Sequence, residues 1–214
     1  MPELTAAQHS ILVGTLLGDA NLQINKGCRN AYFKLVHGPK QLEYLKWKGS
    51  VFSSYFNTLE PYSWDNKWGT SYQLRTRALP VFTKYHTLFY SRPREECRPS
   101  VFPKKVTEEI LSYVDELALA IWYCDDGSPN VEKGHWRNSM TLALGGMEEA
   151  EYSMIEAWFK NIVPKVKRKE CPSNCVVLKF GVDGSEVLAN KIYKHIPPSM
   201  QYKIKDIELE VPHS

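Results

Sequence analysis

The sequence lacks the features of several common protein classes. Its five cysteines are an odd number without regular spacing, which argues against a disulfide framework and favours a reducing compartment. Cys171 and Cys175 lie near each other, but no second pair of ligands with a comparable spacing completes a zinc site. The longest apolar runs are far shorter than the ~20 residues of a membrane span, so no membrane partner is expected.

Motifs of the widespread hydrolases and nucleotide-binding proteins are also absent. The chain has no Ser-His-Asp motif and no glycine-rich loop that would cradle a phosphate. It has no initial Cys and no terminal His-Asn pair, so it is not expected to be a complete self-splicing intein. No Lys or Arg precedes Lys26, so no targeting peptide is expected at the start.

Composition alone leaves the class of function open. The chain has 214 residues, of which 43% are hydrophobic, enough for one sizeable core or two small ones. The net charge of +3 is too small to identify a nucleic-acid-binding protein. The distribution of the charges therefore matters more than their sum.

An internal repeat is the most informative feature of the sequence. Two apolar segments end in acidic residues, and Asp19 and Asp126 are 107 positions apart (126 − 19). Further aligned pairs are residues 32–35 with 139–142, 49–52 with 156–159 and, at an offset of 104, 74–75 with 178–179. A repeat of this length indicates two structurally related halves.

Each half is predicted to have the order helix, two strands, helix, two strands, helix. Alternation of apolar and polar residues with a period of two, on either side of turns, predicts antiparallel strands. The fold class is therefore α+β, with pseudo-symmetric αββαββα halves at 1–98 and 106–214 and a linker at 99–105. The region of the linker is rich in Pro and Arg, which favours a break between compact units.

Both apolar helices end in aspartate, at the negative end of the helix dipole where a carboxylate is disfavoured. The small residues one turn apart that permit close helix packing are Gly14 and Gly18, and Ala120 and Cys124. Two carboxylates brought to ~5 Å at an effective dielectric of ~20 repel by roughly 3 kcal/mol, which requires a shared proton or a bound cation. The alternative is that each helix is an ordinary core helix whose terminal Asp caps a loop.

The two segments resemble the nine-residue motif of the LAGLIDADG homing endonucleases, in the single-chain form that has two motifs. Residues 12–20 and 119–127 occupy the motif positions, and the segment Pro198-Ser-Met-Gln-Tyr-Lys203 is similar to a Met-x-Tyr-Lys segment of the family. The resemblance implies a monomer with the two motif helices at a central interface. It also implies two antiparallel, saddle-shaped sheets over double-stranded DNA.

The same resemblance implies a metal site at the helix ends. Asp19 and Asp126 would share two or three divalent ions, with Gly18 and Asp125 as further ligands, and each half would cut one strand. Hard oxygen ligands favour Mg²⁺.

Basic residues would assist the reaction in each half. Lys203 is the catalytic candidate of the second half. The first half has no lysine within the segment 100–103, where the family pattern would carry one. Arg98 is the catalytic candidate there, with Lys104 as the other basic residue nearby.

The polar faces of the predicted strands are the candidate DNA contacts. Amide and guanidinium side chains pair with base edges in the major groove, which admits a β-ribbon. In the first half these residues are Asn21, Gln23, Asn25, Asn30, Tyr32, Lys34, Gln73, Arg75 and Arg77. In the second half they are Arg137, Ser139, Thr141, Lys165, Lys167, Lys169 and Lys179. Any one strand is also consistent with an ordinary solvated face, but several such faces on duplicated sheets favour DNA.

The sequence therefore predicts a site-specific endonuclease that makes double-strand breaks in a long DNA target by metal-dependent phosphodiester hydrolysis. It would be encoded by a mobile intron or a similar element. A bacterial or phage protein of this kind would work in the cytoplasm, and an organelle-encoded one within its organelle. Two alternatives share the fold. One is a maturase that binds intron RNA as a splicing cofactor. The other is a non-catalytic DNA-binding protein whose acids only cap the interface helices.

Overall fold

The computed structural model describes residues 3–67, 69–90, 104–132, 135–170, 176–205, 207 and 209. The first part of the chain forms α1 (Ala6–Leu17), β1 (Asn21–Gln23), β2 (Tyr32–His37), α2 (Leu42–Val51), β3 (Tyr62–Asn66), β4 (Gly69–Arg75) and α3 (Pro80–Phe89). The second part forms α4 (Glu108–Ser112), α5 (Glu116–Asp126), β5 (Gly127–Glu132), β6 (His135–Leu144), α6 (Glu149–Lys160), β7 (Val166–Glu170), β8 (Val176–Phe180) and α7 (Val182–Ile192). Short 3-10 turns cover Pro39–Gln41, Ser53–Tyr55, Tyr193–His195 and Pro198–Lys203.

The strands form two antiparallel four-stranded sheets with matching topology. Their strand orders are β1-β2-β4-β3 and β5-β6-β8-β7. Leu35 pairs with Leu74 in the first sheet, and Leu142 pairs with Leu178 in the second. These are the equivalent positions that the two sequence offsets predict. The α+β class and the internal repeat are therefore confirmed.

Alternation along the strands places one face of each sheet in the core. Leu22, Phe33, Leu35 and Leu74 are buried on the inner face of the first sheet. Continued alternation would place Ile24 on the same face, but it is 40% exposed because β1 ends at Gln23. The inner face of the second sheet is formed by Met140, Leu142, Leu178 and Phe180.

The helices α1 and α5 lie side by side and run in the same direction. Ser10 near the start of α1 donates to Asp115, which caps the first turn of α5. Further along, a Cβ on Gly14 would lie 2.2 Å from the carbonyl oxygen of Ala118, so only glycine fits there. A Cβ on Gly18 would lie 2.5 Å from the Cβ of Asp125. The parallel course brings the two C-terminal ends together.

Some details differ from the sequence prediction. The atoms nearest to the two interface glycines belong to Ala118, Ile121 and Asp125, whereas Ala120 and Cys124 were expected to provide close packing. The short helix α4 was not predicted, and residues 99–103 of the predicted linker lie outside the described residues. Among the described residues, no helix combines the length and the apolar character that crossing a membrane requires.

Candidate active site at the paired helix ends

Asp19 lies two residues after the end of α1, Asp126 is the last residue of α5, and both line the same groove, whose volume is about 870 Å³. Burial raises the pKa of Asp126 to about 8, and repulsion from Asp19 and Asp125 adds to the shift. Partial desolvation and the charge of Asp125 also raise the pKa of Asp19, whose side chain is 42% exposed. Burial therefore disfavours the ionised forms of both acids, and a bound cation would favour them.

A buried ammonium group caps the end of α1. The Nζ of Lys104 donates to the carbonyl oxygens of Leu16, Gly18 and Ala20 at 2.7, 2.7 and 3.0 Å. A cation at a helix C-terminus is stabilised by the helix dipole and satisfies carbonyls that have no partner within the helix. Burial lowers the pKa of this lysine.

A second ammonium caps the end of α5 in the same way. The Nζ of Lys203 donates to the carbonyl oxygens of Asp125 at 3.1 Å and Gly127 at 2.7 Å. Burial also lowers the pKa of Lys203. The end of α5 thus has the same backbone-bound lysine as the end of α1, although the two lysines come from unrelated local segments.

The position of Lys104 bears on the predicted basic residue of the first half. Arg98 lies outside the described residues, whereas Lys104 occupies at α1 the place that Lys203 occupies at α5. A sequence signal for this was available, because Lys104 directly follows Pro103 and Lys203 lies shortly after Pro198.

Asp125 takes part in a buried ion pair between the two halves of the chain. Both carboxylate oxygens accept from the Nζ of Lys48 in α2, at 2.7 and 3.0 Å, and neither side chain is exposed. The ammonium also lies 4.2 Å from the centroid of the Tyr44 ring. Sequence analysis missed Lys48. Its signal is a charged residue on the buried stripe of α2, three positions after Leu45.

His37 joins this pair to Asp19. Its Nδ1 lies 2.9 Å from the Oε1 of Gln41 and 3.8 Å from the Oδ2 of Asp19, and its Nε2 lies 3.5 Å from the Nζ of Lys48. These partners assign the proton to Nδ1, because an amide oxygen accepts and an ammonium donates. Burial lowers the pKa of His37 to about 4, and the neighbouring Lys48 adds to this, so the imidazole is neutral at pH 7.

The donor set suits a hard divalent cation. Ligand atoms of Asp19, His37 and Asp125 lie within 4.8 Å of one another. The Asp125 carboxylate already accepts twice from Lys48, and the Gly18 carbonyl accepts from Lys104. Asp19 and Asp126 are the predicted ligands whose carboxylates line the groove. Carboxylate oxygens are the ligands that Mg²⁺, Mn²⁺ and Ca²⁺ prefer.

The outer face of the first sheet carries a row of polar residues. Cross-strand pairing places Asn21 beside Lys34 and Lys34 beside Arg75. The exposed guanidinium of Arg75 lies 4.1 Å from the centroid of the Tyr32 ring. Tyr32 itself was predicted to contact DNA, but its ring is buried under this arginine, and its hydroxyl donates to Gln23.

The edge strand β3 adds an aromatic pair that the sequence analysis missed. Tyr62 pairs across the strands with Gln73, so it lies on the same outer face as that amide. Its side chain is 66% exposed, and its ring stacks on Trp64 with centroids 6.0 Å apart. The signal was the alternating Tyr62-Ser-Trp64 pattern before the Gly69 turn.

The outer face of the second sheet carries a corresponding row. Pairing places Ser128 beside Thr141, Thr141 beside Lys179, and Lys179 beside Lys167. Lys167 and Lys169 are both exposed on β7. The second sheet is therefore richer in lysine at its edge, where the first sheet has aromatic rings.

Several predicted contact residues do not stand on these faces as expected. β4 ends at Arg75, and the Arg77 guanidinium donates to the Ser54 carbonyl oxygen at 2.6 Å. Lys165 precedes β7 with a positive φ of 56° and pairs with Asp183 at the start of α7, because the backbone turns there before the strand begins. Ser139 is only 5% exposed.

Others lie at the ends of the first hairpin or cannot be described. Asn25 lies beyond the end of β1, and the Asn30 side chain accepts from the Thr83 hydroxyl at 3.3 Å. The Arg137 side chain lies outside the described part of the structure.

Known proteins resemble this chain along nearly its whole length. The RecA protein of Mycobacterium shimoidei is 27% identical over 94% of this chain and 47% of its own length. The chain thus spans about half the length of the RecA protein that it matches. The probable intron-encoded endonuclease 1 of Wickerhamomyces canadensis is 26% identical over 94% of this chain and 85% of its own length. The cytochrome b mRNA maturase bI2 of Debaryomyces hansenii is 24% identical over 91% and 72%.

A solved structure shares the fold. The homing endonuclease I-WcaI bound to its DNA recognition sequence matches 99% of this chain and 90% of its own chain, with a TM-score of 0.80 and 20% identity. The model of the LAGLIDADG DNA endonuclease family matches residues 9–188, which include both acidic helix ends and both sheets. The chain therefore belongs to the LAGLIDADG DNA endonuclease family.

Proposed function

We propose that this chain is a site-specific endonuclease that cuts both strands of a DNA duplex by metal-dependent hydrolysis. The observation that carries the proposal is the meeting of Asp19 and Asp126 in one groove at the ends of two parallel helices. A structural role as loop caps would not require two acids to be brought together against their repulsion. Holding divalent cations does require it.

The acids and the lysines would have different roles in the reaction. Asp19 and Asp126 would hold Mg²⁺, which supplies an activated water and stabilises the oxygen that leaves. In the hydrolysis the water oxygen forms a bond to phosphorus, one ester P–O bond breaks, and the leaving oxygen takes up the proton that the water loses. Lys104 and Lys203 hold fixed positive charges beside the acids, where they would stabilise the extra negative charge on the phosphate.

The two sheets would bind the DNA. Their outer faces offer amide, guanidinium and ammonium groups in rows across the strands, on two related platforms of one chain. A monomer would therefore contact both halves of a long target in the major groove. Arg75 is the residue we assign to base recognition, and Lys167 is assigned to the phosphate backbone.

The likeness to a maturase favours one second candidate, which is binding of intron RNA as a splicing cofactor. The likeness to an intron-encoded endonuclease favours a mobile intron as the source, with the protein acting in the compartment that encodes it. The two activities are separable, because the maturase role does not need Asp19 and Asp126 to hold metal.

A cleavage selection tests the proposal. Plasmids with randomised inserts are incubated with the full chain in Mg²⁺, and the linearised products are sequenced. We expect a defined set of long sites, no linear product in EDTA, and none with the double variant Asp19→Asn/Asp126→Asn. Binding of a defined DNA without cleavage would favour the non-catalytic alternative. Splicing stimulated equally by parent and double variant would favour the maturase role.

A further inference from the structure

The internal repeat identifies which residues occupy equivalent places beside the two acids. His37 is the last residue of β2 and pairs with Tyr72, while Leu144 is the last residue of β6 and pairs with Val176. The 107-residue offset therefore makes His37 and Leu144 equivalent. The same offset relates the first residues of α2 and α6, and it matches Lys48 to Ile155.

The wall beside Asp19 is polar and charged. The His37 ring lies 3.8 Å from the Asp19 carboxylate and contacts Lys48, whose ammonium is bound to Asp125. All three residues of this His37-Lys48-Asp125 network are buried. Their positions are fixed by one another and by Gln41, so the wall is rigid as well as polar.

The positions of the second half that are equivalent to this network carry apolar side chains. Leu144, the equivalent of His37, lines the groove that also contains Asp126. The residue equivalent to Asp125 is Gly18, and the residue equivalent to Lys48 is the buried Ile155. The network beside Asp19 therefore has no counterpart among these equivalent residues.

We infer that the two cleavage centres are unequal, and that the centre beside His37 cuts its DNA strand first. The inference rests on the proposed endonuclease function. His37 acts as a positioning residue: it fixes the hydrogen-bonded surroundings of Asp19 and of the attacking water. The Leu144 side chain offers no donor or acceptor, so a water at that position lacks the fixed partner that His37 provides in the first half. Outer-shell partners of this kind typically change activity by about 10 to 100-fold.

Strand-resolved cleavage tests the inference directly. A duplex recovered from the cleavage selection is labelled with a different dye on each strand, and both rate constants are measured in Mg²⁺ with the full chain. We expect one strand to be cut at least about tenfold faster, within the range for outer-shell partners. Equal rates would overturn the inference alone. Absence of any cleavage would overturn the proposed function and this inference with it.

Exchange variants show whether the protein or the DNA sequence sets the order. His37→Leu should slow the faster strand selectively, and His37→Gln should retain the bias because an amide keeps a donor and an acceptor. The double variant His37→Leu/Leu144→His should reduce or reverse the bias. A bias unchanged in this double variant would assign the order to the DNA and overturn the inference. His195→Leu is the matched control, since His195 lies 3.8 Å from Glu116 on another surface.

A measurement without metal tests whether His37 is held by its hydrogen-bond partners as the inference requires. Nitrogen-15 NMR of the histidine rings should find His37 protonated on Nδ1 in the parent, as its partners require. The opposite tautomer would contradict the network on which the inference depends. Slowing of both strands by the same factor in His37→Leu, with a lowered melting temperature, would assign His37 a structural role and would also overturn it.

Discussion

The ends of α1 and α5 share an architecture but differ in chemistry. Each has an aspartate at its end in the groove, and each has a lysine bonded to backbone carbonyls at that end. One position before the aspartate, however, α1 has Gly18 and α5 has Asp125, whose charge is neutralised by Lys48. The shared parts are those that a two-strand reaction would need twice. The differences lie in the wall around them.

Removing the ammonium group of Lys48, which neutralises Asp125, should cause the largest loss of stability. Lys48→Met leaves Asp125 buried without a partner, and breaking a buried pair in this way costs about 3–5 kcal/mol. Lys46→Met is the matched control on the same helix, because Lys46 pairs with Glu43 on the exposed face and should contribute within about 0.5 kcal/mol. Urea denaturation of each variant measures the free energy of unfolding.

The double variant Lys48→Met/Asp125→Leu sharpens this test. It replaces both charges with apolar groups of similar shape, which is often close to neutral when a buried pair is removed completely. We therefore expect most of the lost stability to return. A double variant as unstable as Lys48→Met would show that packing, rather than the unpaired charge, dominates at this place.

Substitution of a glycine at the helix interface should cause the next largest loss of stability. Gly14→Ala places a methyl group 2.2 Å from a backbone oxygen of α5, so the helices must separate, at a cost of about 1–3 kcal/mol or more. Gly38→Ala is the control, since its φ is −79° and nothing lies within 4 Å of the added carbon. Thermal unfolding of the two variants should differ clearly, and equal melting temperatures would refute the close approach of the helices.

The two sheets should differ in what they recognise. Arg75→Ala should cost about 1–3 kcal/mol of binding and relax preference at one base position, because a guanidinium reads one guanine edge with two donors. Lys167→Ala should weaken all sites alike and lower the salt slope by about one. Cleavage profiling over randomised sites compares them. A uniform loss with Arg75→Ala would mean that Arg75 contacts phosphate or supports the fold.

The raised pKa of Asp126 predicts a smaller, pH-dependent effect. A carboxyl whose folded-state pKa is about 8 keeps a proton that the unfolded chain has already lost, so its contribution to stability falls as pH rises towards about 8. Between pH 6.5 and 8 the metal-free parent should lose melting temperature relative to Asp126→Asn. Added Ca²⁺ should reduce this difference, since it binds the ionised form. Parallel pH profiles of parent and variant would contradict the shift.

Much of the fold followed from local rules in the sequence. Alternation with a period of two located β2, β4 and β8, and the internal offset matched Leu35 to Leu142 and Leu74 to Leu178 before any contact was known. The residues at which strands begin and end were harder to predict. Nothing in the alternation indicated that β1 ends at Gln23, or that the backbone at Lys165 adopts a positive φ and turns the side chain towards Asp183.

The candidate site was predicted where a residue acts close to its motif, and missed where it acts across the fold. Asp19 and Asp126 stand out because their helices repeat. Lys48 contacts a residue 77 positions away, and Lys104 contacts residues more than 80 positions away, so neither partner is visible in the local sequence. Only the packing of α2 and of the segment before α4 against the helix ends reveals them.

The proposed endonuclease activity depends most directly on Asp19 and Asp126 acting together at one metal-dependent site. The decisive measurement is the cleavage and binding of a selected DNA by Asp19→Asn and by Asp126→Asn, with Asp65→Asn on the exposed strand β3 as control. We expect each of the first two variants to lose double-strand cleavage while its DNA affinity stays within a few-fold of the parent, and the control to cut normally. Full double-strand cleavage by either of the two variants would contradict it.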